Sequence, residues 1–296
     1  MKPQVFIGMP VYNGERHLSE AIESILNQTF GDFVLFISDD ASKDATRTLC
    51  ERYAAQDTRI IYYRQPQNIG MFANFKYVLD KAATPYFMWA AQDDIRAPEY
   101  LRVCVEKLER NPELGLATTA TALIDTYGRE LAVENEAAHL SGAPGALQVM
   151  RYVLQPEGFG KCNLTYGLFR TSAARAIWQA YPWKKVWGQD YHFALALVSR
   201  YEVFIDKRPL FKKRLGGYSS PELLEDKGFR KLSYQERNND FPLKRFGTYF
   251  RGHMEATRGT PYQLLVAALL LVRLPRPFIV YAKERNYKKF LKKLPL

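Results

Sequence analysis

Three common routes to function are missing from this sequence. Neither common type of glycine-rich phosphate loop occurs, so a bound diphosphate would need basic side chains, helix N-termini or a metal. The cysteines, Cys50, Cys104 and Cys162, are odd in number and far apart, which excludes a disulfide framework or a cysteine metal cluster and suits a reducing, cytoplasmic setting. No clean apolar run reaches eighteen residues, so no spanning helix is expected, and the start lacks the features of a signal peptide. Internal repeats and low-complexity tracts are absent too. What is present is a 47% hydrophobic chain of 296 residues, enough for one large domain and a small extension. Its 42 Lys and Arg against 31 Asp and Glu give a net charge of +11, which points to an anionic partner.

The first half alternates short apolar runs with amphipathic stretches. Strands are expected at Gln4–Met9, ended by Pro10, and at Phe33–Ile37, Arg59–Tyr63 and Tyr86–Trp89. Helices lie between them: one has Leu18, Ala21, Ile22, Ile25 and Leu26 on a face, the next is capped by Ser42, and a later one opens at Pro98. Alternation of this kind implies a parallel sheet with helices on both faces. Each strand is followed by a polar cluster: Tyr12 and Asn13, Asp39 and Asp40, Asn68, Asp93 and Asp94. In a parallel sheet those clusters share one edge, where open α/β sheets bind ligands. An acidic set there, on a basic protein, fits a divalent cation holding a nucleoside diphosphate.

The runs "PVYNGERHLSEAIESILNQTFGDFVLFISDDASKDAT" and "NIGMFANFKYVLDKAATPYFMWAAQDDIRAPEYL" resemble the donor-binding half of family 2 glycosyltransferases of the GT-A fold. The resemblance implies a mixed, mainly parallel α/β sheet flanked by helices. It implies an inverting transfer from a nucleotide-diphosphate sugar, a UDP-sugar before a dTDP-sugar, with Mn2+ or Mg2+. Pro10 and Tyr12 would flank the base beside Asn13, Asp40 would read its N3–H, and Asn68 and Gly70 would shape the adjoining loop. Asp93 and Asp94 would be the metal and ribose carboxylates, with Asp94 the favoured metal ligand and their division of roles open. "WGQD" looks like the family's Gly-Glu-Asp motif, which makes Asp190 the general base. Three positions depart from the family pattern: Ala91 and Gln189 stand where acids are usual, and Leu215 where a histidine is.

The second half reads as a strand at Leu114–Ile124 with a hairpin return, a helix at Ala146–Leu154, a strand within Phe159–Arg170, a helix capped by Thr171, a buried helix at Ala194–Val198 and a strand at Glu202–Leu210. Lys213 and Arg214 are candidates to meet the diphosphate, and 219–240 is a candidate lid. Residues 1–215 are thus expected to form the catalytic domain, with a nucleotide-sugar half (1–125) and an acceptor half (126–215), and 216–296 a C-terminal extension. In the extension the apolar Tyr262–Val272 precedes a helical pattern with Tyr287, Phe290, Leu291 and Leu294 opposite Lys288, Lys289, Lys292 and Lys293. That pairing suits an anionic membrane surface, at the inner face of the cell membrane, and an acceptor that is a saccharide or is lipid-linked. Nucleic acid is not expected, because the basic residues gather with aliphatics rather than stacking aromatics. A homo-oligomer is compatible with the sequence. The rival reading is a nucleotide-sugar-binding or membrane scaffold protein without turnover.

Overall fold

The computed structural model describes residues 3–155, 160–183, 188–215 and 242–273. The candidate lid at 219–240 and the basic helical pattern beyond 273 lie outside the described residues, as does Phe159.

Four strands form the first half of the sheet: β1 (Val5–Val11), β2 (Phe33–Asp39), β3 (Ile60–Arg64) and β4 (Tyr86–Trp89), all parallel in the order β3-β2-β1-β4. β1 is buried along its whole length, which is why it reads as a continuous apolar run rather than an alternating one. Its side chains still alternate: Val5, Ile7, Met9 and Val11 point into one core, and Phe6 into the other. Pro10 does not end the strand as expected. It pairs with Ser38 of β2, while β4 accompanies β1 only as far as Gly8, so the missing N–H leaves no break in that ladder.

Between the strands lie α1 (Leu18–Leu26), α2 (Thr46–Gln56) and α3 (Met71–Lys81). Ser42 does not cap α2. Its hydroxyl accepts the Asn13 N–H, and α2 opens after Ala45 with no side-chain cap, Asp44 accepting the Thr46 N–H at 3.1 Å. The helix α4 (Tyr100–Arg110) begins two residues after Pro98, whose carbonyl is held by the Thr29 N–H. Gly8 lets α3 lie flush on β1, since an added Cβ would sit 2.7 Å from Val78 Cγ2. Gly8→Ala is therefore expected to lower stability by about 1–3 kcal/mol, read from the urea midpoint at unchanged slope.

The sheet continues through the two-residue β5 (Ile95–Arg96), β6 (Leu114–Ile124), β7 (Glu130–Glu134), β8 (Leu168–Arg170) and β9 (Glu202–Arg214), in the order β4-β8-β6-β9-β5 with β7 on β6. β8 is antiparallel to both β4 and β6 and joins the halves, while β6 and β9 are parallel. The expected strand over Phe159–Arg170 is largely a 3-10 helix, Lys161–Tyr166, and only its last three residues are extended. Lys161 explains the change. Fully buried, it turns its ammonium onto the carbonyls of Tyr152 and Gln155 at the end of α5 (Ala146–Leu154).

The helices α6 (Thr171–Ala180), α7 (Gln189–Val198), α8 (Pro242–Ala256) and α9 (Gln263–Arg273) complete the fold. α8 packs on α7, and α9 on α5. Beneath the sheet's centre, Trp89 contacts Phe75, Trp178, Trp183 and Phe193, with ring centroids 5.7–6.4 Å apart, and its Nε1–H reaches the Phe75 carbonyl. This aromatic block joins the two halves below the edge where the polar loops gather.

Candidate active site

The loops after β1, β2, β3 and β4 are tied to one another by hydrogen bonds. Both carboxylate oxygens of Asp40 accept backbone N–H groups across the gap, from Ile69 (2.6 Å) and Gly70 (3.0 Å). Asn68 donates to the Asp40 carbonyl, and the Asp40 N–H donates to the carbonyl of Val11. The Gln92 side chain clasps the backbone of Tyr12, accepting its N–H at 2.8 Å and donating to its carbonyl at 3.3 Å. The Asn13 side chain accepts the Lys43 N–H. Asn13 and Ala41 both adopt left-handed backbone conformations, φ 49° and 58°. For a residue with a Cβ this costs about 1–2 kcal/mol, offset here by the bonds that pin the loops.

Tyr12, Asn13, Asp40, Asn68, Gly70 and the Gln92–Asp94 loop therefore share one rim, and Pro10 lies in the strand leading to it. Asp40 is almost fully buried. That burial raises its carboxyl above the usual range, and the two N–H donors oppose the rise. A carboxylate accepts about four hydrogen bonds, so two here leave room for a donor from a ligand. The neighbouring Asp39 is committed to the fold, accepting from Tyr62, Arg64 and Ser42.

Asp94 lies deeper than Asp93. Its Oδ1 accepts the Arg214 N–H at 3.0 Å, and its Oδ2 takes no hydrogen bond among the described residues. Burial raises its carboxyl, opposed by the charges of Arg96, Lys213 and Arg214. Sequence reasoning grouped Lys213 and Arg214, and the structure separates them. The Arg214 guanidinium is buried and spent on the carbonyls of Asp93, Asp125 and Thr126 and on the Glu20 carboxylate, so it braces the loop. Lys213 is half-buried and donates to Asn163 at 2.8 Å. Burial opposes its charge, yet the Cys162 thiol, the Tyr166 phenol and the Asp94 and Asp190 carboxylates prevail, and its ammonium titrates above the usual lysine range.

Asp190 stands in the first turn of α7, after Gly188 in a left-handed conformation. Its Oδ1 accepts the Tyr191 N–H, and Tyr191's carbonyl accepts the hydroxyl of Tyr152 from α5. Tyr166 lies within reach of the charges of Lys213, Asp94, Asp93 and Asp190. The carboxylates of Asp190 and Asp94 thus act electrostatically on both Tyr166 and Lys213, and that of Asp93 on Tyr166. Neither Tyr166 nor the Gln92 clasp stood out in sequence, since a tyrosine in "CNLTYG" and an amide before two acids carry no periodic or compositional mark.

Among the described residues no group of three or more His, Cys, Asp or Glu side chains could hold a metal by itself. A divalent ion shared with a diphosphate needs only one or two carboxylates, and Asp93 with the uncommitted Asp94 Oδ2 fits that requirement.

Residues 6–142 match the family model described as Glycosyl transferase family 2. Over those residues the chain is similar to the family 2 glycosyltransferases. It is similar to the putative glycosyltransferase EpsE of Bacillus subtilis, 33% identical over 127 residues that cover 43% of this chain and 46% of that one. It is also similar to the minor teichoic acid biosynthesis protein GgaB of Bacillus subtilis, 38% identical over 89 residues, 29% of this chain and 10% of that one. The matched segment thus spans less than half the length of these curated relatives. Two solved structures share the fold over nearly all of this chain. S. aureus TarS 1-349 in complex with UDP has a TM-score of 0.58 at 14% identity, covering 96% of this chain and 91% of that one. The mannosyltransferase PcManGT from Pyrobaculum calidifontis in complex with GDP-Man and Mn2+ has a TM-score of 0.51 at 13% identity, covering 97% and 81%. The chain is built on the GT-A fold, a mixed sheet flanked by helices.

Proposed function

We propose that this protein is an inverting glycosyltransferase. It moves a sugar from a nucleoside diphosphate donor, a UDP-sugar before a dTDP-sugar, to a hydroxyl of a saccharide or lipid-linked acceptor in cell-envelope polysaccharide synthesis. The observation that carries the reading is the tying together of the strand-end loops through Asp40 and Gln92, with the charges of Asp94 and Asp190 both acting on Tyr166 and Lys213. TarS with bound UDP, PcManGT with GDP-Man and Mn2+, and the teichoic acid protein GgaB support the donor, metal and polymer classes. Residues 1–215 make up the catalytic unit in this reading, and 216–296 an extension that works at the inner face of the membrane.

Pro10 and Tyr12 bound the slot for the base, and a lone pair of Asp40 accepts its N–H. Asp94 and Asp93 would hold Mn2+ or Mg2+, which when bound would supply positive charge to the departing diphosphate. Lys213 adds a second positive charge to the same region. Asp190 takes the proton of the acceptor hydroxyl as the new bond forms at the anomeric carbon. One displacement inverts that carbon, so no second carboxylate is needed as a nucleophile.

A thermal-shift panel of nucleotide sugars, each with and without Mn2+, tests the reading. A UDP-sugar at about a hundred times its Kd should stabilise the fold by about 2.7 kcal/mol, and GDP-sugars should do less. Absence of any nucleotide shift would sink the proposal. A shift without transfer to any acceptor would instead favour a binder lacking turnover, the reading that Ala91, Gln189 and Leu215 support.

A further inference from the structure

The helix α9 has no hydrophilic face. From Leu264 to Val272 every residue is apolar, and only Arg273 and Gln263 bound the run. Val266 and Leu270 are buried against the protein, while Leu264, Leu271 and Val272 are 84%, 57% and 74% exposed. A helix apolar all round belongs in a core or against lipid, and among the described residues no helix is long and apolar enough to cross a bilayer. Its neighbour α5 repeats the pattern. Val149, Tyr152 and Val153 face inward, while Leu147 and Leu154 are 53% and 43% exposed, with the exposed Arg151 between them. The helices meet where the Arg273 guanidinium reaches the Val153 carbonyl, next to Leu154.

We propose that the outer faces of α5 and α9 dock on an anionic lipid surface. Charge selects this occupant. Residues 274–296, which follow α9 directly in the sequence, contain seven Lys and Arg and the single acid Glu284. Such a segment favours an anionic leaflet. A second copy seated on the same face would bring two of these basic segments together, against their mutual repulsion. The face is also one helix away from the chemistry: the inward side of α5 sends the Tyr152 hydroxyl to the Tyr191 carbonyl, beside Asp190. Docking there sets the candidate base next to the leaflet, which matches the lipid-linked acceptor of the reading above and rests on that reading for its functional meaning.

Sedimentation of the full chain with vesicles tests the docking. The vesicles are either phosphatidylglycerol and phosphatidylcholine in equal parts or phosphatidylcholine alone. Binding to the anionic vesicles is expected, and Leu264→Gln with Leu271→Gln should weaken it by roughly tenfold or more. Both positions are exposed, so the variant should keep the thermal midpoint and the UDP-sugar shift of the parent. Unchanged sedimentation of the double variant overturns the proposal, as does a parent chain that ignores anionic vesicles. Loss of a dimer in light scattering, with vesicle binding intact, would reassign the face to self-association and overturn it as well. The UDP-sugar shift is read in the same samples, so failure of donor binding and failure of docking are told apart.

Discussion

Replacement of Asp190 by asparagine is expected to cut sugar transfer by roughly 10²–10⁴-fold while leaving the UDP-sugar thermal shift in place. The two carboxyl functions proposed here do different work, and this substitution separates them. Asn keeps an oxygen for the Tyr191 N–H, so the first turn of α7 retains its local bond. It cannot take a proton from an acceptor hydroxyl. In the proposed reading donor binding belongs to the strand-end loops, where Asp40, Gln92 and Asp94 are held by the backbone of Ile69, Gly70, Tyr12 and Arg214 and not by α7. One secondary effect is expected. Asp190 is among the groups that hold the Lys213 ammonium charged, so its loss lowers the Lys213 pKa from its raised value. A proton remains on Lys213 at neutral pH, and the donor shift persists. Initial rates and thermal shifts on the same preparations check both halves. Full turnover in the Asn variant would remove Asp190 from the base role.

The sheet edge was legible because two periodicities agree. Apolar runs of strand length alternate with helical faces such as Leu18, Ala21, Ile22 and Ile25, and a parallel sheet then forces the strand-end loops to one side. What sequence could not show is how those loops are held. Asp40 looks like a ligand-reading acid and is also the clamp on the Ile69–Gly70 turn, a contact made 29 and 30 residues away. Gln92 carries no mark in the sequence and is a backbone clasp 80 residues from Tyr12. Arg214 looks like a phosphate contact and is a brace reaching back to Glu20. Such roles depend on long-range geometry, which neither propensity nor spacing encodes. Local misreadings have local causes: Pro10 escapes its strand-ending role because β4 stops early, and the run before Gly167 curls because Lys161 has carbonyls to satisfy.

Acidification from pH 7 to pH 5 is expected to lower the stability of this protein through two buried histidines. His192 on α7 and His253 on α8 are both fully buried, with ring centroids 4.9 Å apart. The His253 Nδ1–H donates to the Tyr249 carbonyl, and the His192 Nδ1 shares a hydrogen bond with the Tyr181 hydroxyl. Burial lowers His192 to about 3, and Lys161 adds to the effect. Burial also holds His253 well below the usual histidine range, with His192, Lys161 and Arg273 pushing the same way. Both rings are therefore neutral in the fold, while the unfolded chain takes up a proton on each near pH 6.5. The unfolded state binds more protons below that value, so stability falls as pH drops from about 6.5 toward the folded values. At about 1.4 kcal/mol per pH unit, pH 5 costs roughly 2 kcal/mol for His192, and His253 adds a loss of the same sign. His253→Gln, which does not titrate, should reduce this histidine-dependent loss in urea unfolding at the two pH values. An unchanged loss would show that the pair does not govern it. The place where the fold gives way follows from the packing. Gly252 of α8 lies so near the His192 ring that an added Cβ would overlap it, so a hydrated, charged imidazole forces α8 away from α7. Because α7 carries Asp190, transfer should fail along with this contact, before the Asp40 and Gln92 clasps at the far rim are lost.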